Sequence, residues 1–237
     1  QNPFPMKNFY AFIILLISIS TLNAQNKDRM EQDWPNLQKY HKENQKIKDS
    51  GKKPIAVFMG NSITEGWVNT NPEFFRKNNF TGRGIGGQTT PQMLIRFTPD
   101  VIDLDPKVVV ILAGTNDIAG NTGASSVKMI TDNIKAMAQL AEANGIKVVL
   151  SSILPVYDYP WQPGIKPVEK IAAVNQWMKN YARKNNHIYL DYFPALADEK
   201  KGMKSEYAED GVHPTKKGYA AMEPLVFEAV NQALESK

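Results

Sequence analysis

The stretch IAVFMGNSITEG (55–66) decides how this chain is read. Its first half, IAVFM (55–59), is a short, nearly continuous apolar run, the pattern of a strand buried on both faces rather than on one. Its second half leaves that strand through Gly60, presents Ser62 at once and reaches another glycine at 66. A turn needs Gly, Asn or Ser for backbone reasons alone. An enzyme nucleophile needs the same backbone and, in addition, an activating base elsewhere in the chain.

The same type of run recurs downstream. KVVVILA (107–113), IKVVLSSI (146–153) and HIYLDY (187–192) read as strands, with a weaker one near 80–85. Segments with helical spacing lie between and after them, at 89–97, 124–143, 168–185 and 215–234. In the second of these, Val127, Ile130, Ile134, Met137, Ala138 and Ala141 share one face, and Gly145 offers a stop. Apolar strands alternating with amphipathic helices predict a parallel sheet covered on both sides, with functional residues at the C-terminal strand ends. Residues 27–50 are charged and polar, with a helix start at Asp33-Trp34-Pro35 and a stop at Gly51. YDYPWQPGIKP (157–167) is the longest irregular loop; its aromatics either wall a pocket or hold the loop down.

At 237 residues the chain can bury one substantial core, which predicts a single main domain. No cysteine occurs, so these residues contain no disulfide, thiolate nucleophile, cysteine-ligated zinc or lipid-anchored cysteine. The formal charge is +4; residues 1–24 hold one charged residue, Lys7, and without them it is +3. Lysines are scattered rather than massed, which gives no reason to expect nucleic acid as a partner. QNPFP precedes Met6 and has no role that can be argued. From Met6, a lysine, the apolar FYAFIILLISISTL and the small-residue ending at Ala24 read as an export signal over residues 6–24, with Gln25 as first mature residue. Residues 25–50 are then a helical extension and 51–237 the main domain. The mature protein is expected in the periplasm or outside the cell, with no stable membrane insertion once the signal is removed.

Three motifs fall where a parallel sheet would put its site: Ser62 after the first strand, GTND (114–117) after KVVVILA, and DGVHP (210–214) before the last helix. Each alone has a plainer reading: Ser62 as a cap, Asn116-Asp117 as a turn, Asp210 and His213 as surface residues. Together they make a chemical set. A serine hydroxyl needs an adjacent base. Of three histidines, His41 lies in a polar helix and His187 begins an apolar strand, whereas His213 stands in a Gly/Pro loop. Asp210, across Gly211, can reach back to orient the imidazole, and Pro214 restricts His213 to extended geometry. Asn116 and the backbone N–H of Ser62 are candidate donors to a developing oxyanion, with another N–H available from the glycines of GRGIGGQTT (82–90). That stretch also matches a dinucleotide fingerprint, Gly82-x-Gly84-x-x-Gly87, with Asp105 as its acid. The fingerprint should follow the first strand, however, and this one follows the second. Three scattered histidines without cysteine leave no reason to expect a metal.

GNSITEG, GRGIGGQTT, GTND and DGVHPTKKGY occur in the order and approximate spacing of the SGNH (GDSL-like) hydrolases. The chain resembles that family over about 55–234, and the wording GIGGQTT and GTND is similar to its platelet-activating-factor-acetylhydrolase-like branch. The resemblance implies Ser62 as nucleophile, Asp210 and His213 as acid and base, and Ser62, Gly87 and Asn116 as the oxyanion hole. It implies a flavodoxin-like three-layer α/β/α sandwich with a five-stranded parallel sheet. Two departures stand out: Asn61 where the family name has Asp, and Gln88 where many relatives carry an acid.

The expectation is a secreted serine esterase that hydrolyses acetyl or short-acyl esters through an acyl-enzyme, without cofactor or metal. Its substrate would be a small-molecule or carbohydrate ester, with Trp67, Trp161 and the 157–165 loop forming an apolar groove or a sugar platform. The alternatives are a lysophospholipase or lipase-type acylhydrolase, and a non-catalytic module binding glycan or lipid on the same fold. A nucleotide-binding protein is the third. Oligomeric state stays open.

Overall fold

The computed structural model describes residues 33–236; the segment 6–24 read as an export signal lies outside them. In chain order the elements are α1 (His41–Ser50), β1 (Ala56–Gly60), α2 (Ser62–Thr70), α3 (Pro72–Lys77), β2 (Phe80–Gly84), α4 (Thr90–Ile95) and α5 (Phe97–Asp100). A 3-10 turn at Ile102–Leu104 leads to β3 (Val108–Leu112), α6 (Thr115–Ala119), α7 (Val127–Ala143), β4 (Lys147–Ser151), α8 (Val168–Lys184), β5 (Ile188–Leu190), α9 (Phe193–Leu196) and α10 (Lys216–Glu235). All four strand pairings are parallel, and the sheet order is β2-β1-β3-β4-β5.

Side chains alternate across the pleat, so each buried strand feeds two cores. Val57, Met59, Val109, Ile111, Val148 and Leu150 face Met93, Phe97 and the inner stripes of α7 and α8. Phe58, Val108, Val110, Val149 and Leu190 face Trp67, Phe74, Phe75 and the buried face of α10. Helices therefore cover both faces of the expected five-stranded parallel sheet. Gly60 pairs in register with both Gly84 and Leu112, so β1, β2 and β3 end level with one another. The chain runs from β1 outward to β2, then crosses back to β3 on the other side. Open sheets form their crevice at such a switch point, beyond the carboxyl ends of the strands.

Two local expectations are corrected. The first helix among the described residues starts at His41, not at Asp33-Trp34-Pro35; turns fill the residues between, and the predicted stop at Gly51 is a left-handed cap with φ 65°. Gly66 is not part of the turn out of β1 but sits inside α2, where it makes room for α10. A methyl group at Gly66 would lie 2.7 Å from the Tyr219 hydroxyl, which donates to the Ile63 carbonyl at 2.8 Å.

Candidate active site

β1 delivers Ser62 directly to the first position of α2. Asn61 caps that helix, its Oδ1 accepting the Ile63 N–H at 3.0 Å, which prevents the helix from running back into the strand. Ser62 therefore stands at the carboxyl edge of the sheet on the positive end of a nine-residue helix.

The partner comes from the far end of the sequence. His213 Nε2 lies 2.8 Å from Ser62 Oγ, and His213 Nδ1 lies 2.6 Å from Asp210 Oδ2. With the Nδ1 proton facing the carboxylate, Nε2 is left to accept from the serine hydroxyl. Asp210 Oδ1 also accepts the backbone N–H groups of Val212 (2.9 Å) and His213 (2.8 Å). Gly211, at φ 77°, permits the tight return that brings His213 back over Asp210. Burial alone would raise the Asp210 pKa. The hydrogen bonds from the His213 ring and from the His213 and Val212 backbone outweigh it and hold the carboxyl below its ordinary value. Asp210 thus stays ionised where histidine titrates.

The Ile85–Gln88 loop after β2 closes the site on the next side. A methyl group on Gly86 would lie 3.9 Å from Ser62 Cβ, so the loop runs beside the serine. Two amides from the β3 side hold its carbonyls: Asn116 Nδ2 donates to Gln88 O at 3.0 Å, and Asn121 Nδ2 to Gly87 O at 3.1 Å. Asn116 keeps a second Nδ2 proton beyond the one given to Gln88. Ser62, Gly87, Asn116, Asp210 and His213 therefore arise from the four loops that leave β1, β2, β3 and β5.

The aromatic loop contributes one wall. Trp161, 42% exposed, lies with its ring centroid 6.0 Å from that of His213, and its Nε1 donates to Asn121 Oδ1 at 3.2 Å. Tyr159 beneath it is buried, and its hydroxyl contacts Thr115 Oγ1 at 2.9 Å. Trp67 is not part of the site. It is 1% exposed, stacked on Phe74 and Tyr219 in the α2–α10 core, with its Nε1 donating to Glu223. An open depression of about 450 Å³ beside the Asp210–His213 pair is lined by Glu209, Pro214, Thr215 and Lys216.

The sequence profile of the GDSL-like lipase/acylhydrolase family matches residues 58–221, most of the chain. The chain belongs to this family. Among solved structures, a candidate acylhydrolase from Bacteroides fragilis is 48% identical, with a TM-score of 0.82 over 86% of this chain and all (100%) of its own. A GDSL-like lipase from Bacteroides thetaiotaomicron is 45% identical, with a TM-score of 0.80 over 85% of this chain and 100% of its own. The uncharacterised lipoprotein YqeF of Bacillus subtilis is 31% identical over 129 residues, 53% of this chain. The match spans 53%, about half, of that protein's length.

Within this GDSL-like fold both departures from the family pattern have physical explanations. Asn61 serves as a helix cap, a task at which Asn and Asp are equivalent. Gln88 is buried, its Oε1 accepting from Arg96 Nε at 2.5 Å and its Nε2 donating to the Pro35 carbonyl at 2.7 Å. The dinucleotide pattern dissolves: Gly82 and Gly84 belong to edge strand β2, and Asp105 pairs on the surface with Lys53. His187 sits half-buried beside Tyr181 at the start of β5, at the opposite edge of the sheet; burial lowers its pKa, with Glu142 opposing. Among the described residues no group of three or more His, Asp or Glu side chains is arranged to hold a metal ion.

Sequence reasoning missed Glu65, whose Oε2 accepts the Gly86 N–H at 2.8 Å, and Asn121. It also missed Arg96, a fully buried guanidinium behind the loop. A lone cation in the apolar helix TPQMLIRF was the available signal for Arg96; nothing local marks the other two.

Proposed function

We propose that this GDSL-like acylhydrolase is a serine esterase of acetyl or other short-acyl esters, working through an acyl-enzyme. The observation that carries the reading is the unbroken relay from Ser62 Oγ to His213 Nε2 (2.8 Å) and from His213 Nδ1 to Asp210 Oδ2 (2.6 Å). Ser62 attacks the ester carbonyl while His213 takes its proton, and Asp210 stabilises the imidazolium that forms. The tetrahedral oxyanion is received by the N–H groups of Ser62 and Gly87 and by the second Nδ2 proton of Asn116. His213 then protonates the leaving alcohol and afterwards activates the water that releases the acid.

The surroundings favour a polar alcohol over a long acyl chain. The depression beside His213 is walled by Glu209, Thr215 and Lys216, which suit hydroxyl groups, and the exposed Trp161 indole can stack on a sugar ring. Trp67 is committed to the core and available to neither a lipid groove nor a sugar platform, which leaves Trp161 as the exposed tryptophan beside His213. A carbohydrate or similarly polar ester is therefore the substrate class we favour. Export through residues 6–24 completes the reading, and the lipoprotein name of the Bacillus relative fits an exported protein.

The test is hydrolysis of p-nitrophenyl acetate, butyrate and octanoate by the purified protein and by Ser62→Ala. Loss of a triad serine costs on the order of 10⁶-fold in kcat, and rates should fall with chain length. Equal rates in both proteins would refute the nucleophile, and a preference for octanoate would refute the short-acyl assignment.

A further inference from the structure

The loop Gly84-Ile85-Gly86-Gly87-Gln88 carries three glycines in five residues, so its own sequence gives it little preference for any one conformation. An oxyanion donor is effective only when held in place before the reaction. Besides the Asn116 and Asn121 amides on its Gln88 and Gly87 carbonyls, the loop is held through residues that precede the first strand.

Tyr40 donates its hydroxyl to the Gly84 carbonyl at one end of the loop. Burial, helped by Glu65, pushes the Tyr40 pKa up to about 12, so the hydroxyl remains a donor across the working range. At the other end, Gln88 Nε2 donates to the Pro35 carbonyl at 2.7 Å. In the middle, the Gly86 N–H donates to Glu65 Oε2 at 2.8 Å, and Glu65 Oε1 pairs with Lys39. The segment itself is anchored independently of the loop. Asn44 is buried and bridges Asp100 Oδ1 (2.7 Å) and Arg83 Nε (2.8 Å), and the Arg83 guanidinium packs over the Tyr40 ring at 4.6 Å.

We propose that Pro35–Tyr40 are part of the catalytic apparatus: a strap of positioning residues that fixes the glycine loop so that the Gly87 N–H is aimed at the oxyanion. This rests on the serine-esterase reading above. It also gives Gln88 a purpose. An amide accepts from Arg96 and donates to Pro35 at once; a carboxylate could keep Arg96 but has no proton for the carbonyl. The residue that departs from the family pattern is the one that engages the strap.

The test compares the full protein with Gln88→Glu, Tyr40→Phe, Lys39→Met and the triple variant, on p-nitrophenyl acetate. Misplacing a catalytic group by about 1 Å can cost about 10²-fold. Single variants should therefore lose about tenfold in kcat and the triple variant about 10²-fold, with KM little changed. Lys39→Arg should restore what Lys39→Met loses. A trifluoromethyl ketone, which adds to the serine and mimics the oxyanion, should weaken across the series in proportion to kcat/KM. Loosened folding would instead raise KM and leave kcat, because saturating substrate draws the chain back to its competent state. Full kcat in the triple variant, or rates that fall while ketone affinity holds, would overturn the strap. Activity surviving in Ser62→Ala is a different failure and would remove the esterase reading itself.

Discussion

Replacing Arg96 with leucine probes the most constrained side chain behind the site. Arg96 has no exposed surface, and its guanidinium makes four hydrogen bonds: to Gln88 Oε1, to Asp100 Oδ2 at 2.9 Å, and to the Gly60 and Arg83 carbonyls at 2.8 and 2.9 Å. Leucine fills much of the volume but strands Asp100, 2% exposed, without its ion pair, although Asn44 Nδ2 still donates to it. The Gly60 carbonyl keeps the Ile85 N–H at 3.2 Å, so the backbone adds little to the loss. Breaking one partner out of a buried pair costs about 3–5 kcal/mol. At about 2–4 °C per kcal/mol for a domain of this size, Arg96→Leu should lower Tm by about 6–20 °C. Urea and thermal unfolding followed by far-UV circular dichroism would measure it. Arg96→Leu/Asp100→Leu removes the stranded carboxylate and should recover about 1 kcal/mol or more. A loss below about 1 kcal/mol in the single variant, or no recovery in the double, would refute a buried charge pair as the organiser of this region.

Burial raises the Asp117 pKa to about 6, against hydrogen bonds from the Thr90 side chain and backbone. The folded state therefore holds a proton that the unfolded chain releases above about pH 4, and stability falls as pH rises toward 6. Relative to Asp117→Asn, wild type should lose about 2–3 kcal/mol between pH 4 and pH 7, and parallel unfolding curves would contradict this. Gly66→Ala should destabilise by about 1–3 kcal/mol because of the contact with Tyr219, despite the better helix propensity of alanine. The penalty should vanish in a Tyr219→Phe background; a wild-type Tm that rises with alanine would show the approach to be loose. Asp210→Asn should lower kcat by about 10⁴-fold with little change in Tm, and a loss under tenfold would deny the carboxylate its orienting role.

Much of this was legible in the sequence because the signals were local or chemically exclusive. Four β-branched runs gave β1, β3, β4 and β5 within a residue or two, while β2 was faint because Gly82 and Gly84 dilute it. Ser62, Asp210 and His213 were found by asking which base a serine could use, and the structure brings all three together. What failed depended on distant partners. Trp67 looked available because tryptophan often lines sites, and only the arrival of Phe74 and Tyr219 consigns it to the core. The docking of residues 35–44 was invisible because its partners lie 26 to 56 positions away, with no periodicity linking them.

The Ser62–His213 contact joins positions 151 apart, and the Tyr219–Ile63 contact behind it spans 156. During synthesis the nucleophile is made 151 positions before its base. Under the proposed roles, a nascent chain with most of its sheet formed has no base and is chemically silent. Competence waits for the segment that carries His213 to Ser62 and Tyr219 to Ile63. A chain interrupted before Asp210 and His213 would keep its serine and be unable to use it, so under the proposed roles hydrolysis itself certifies that synthesis passed those two residues.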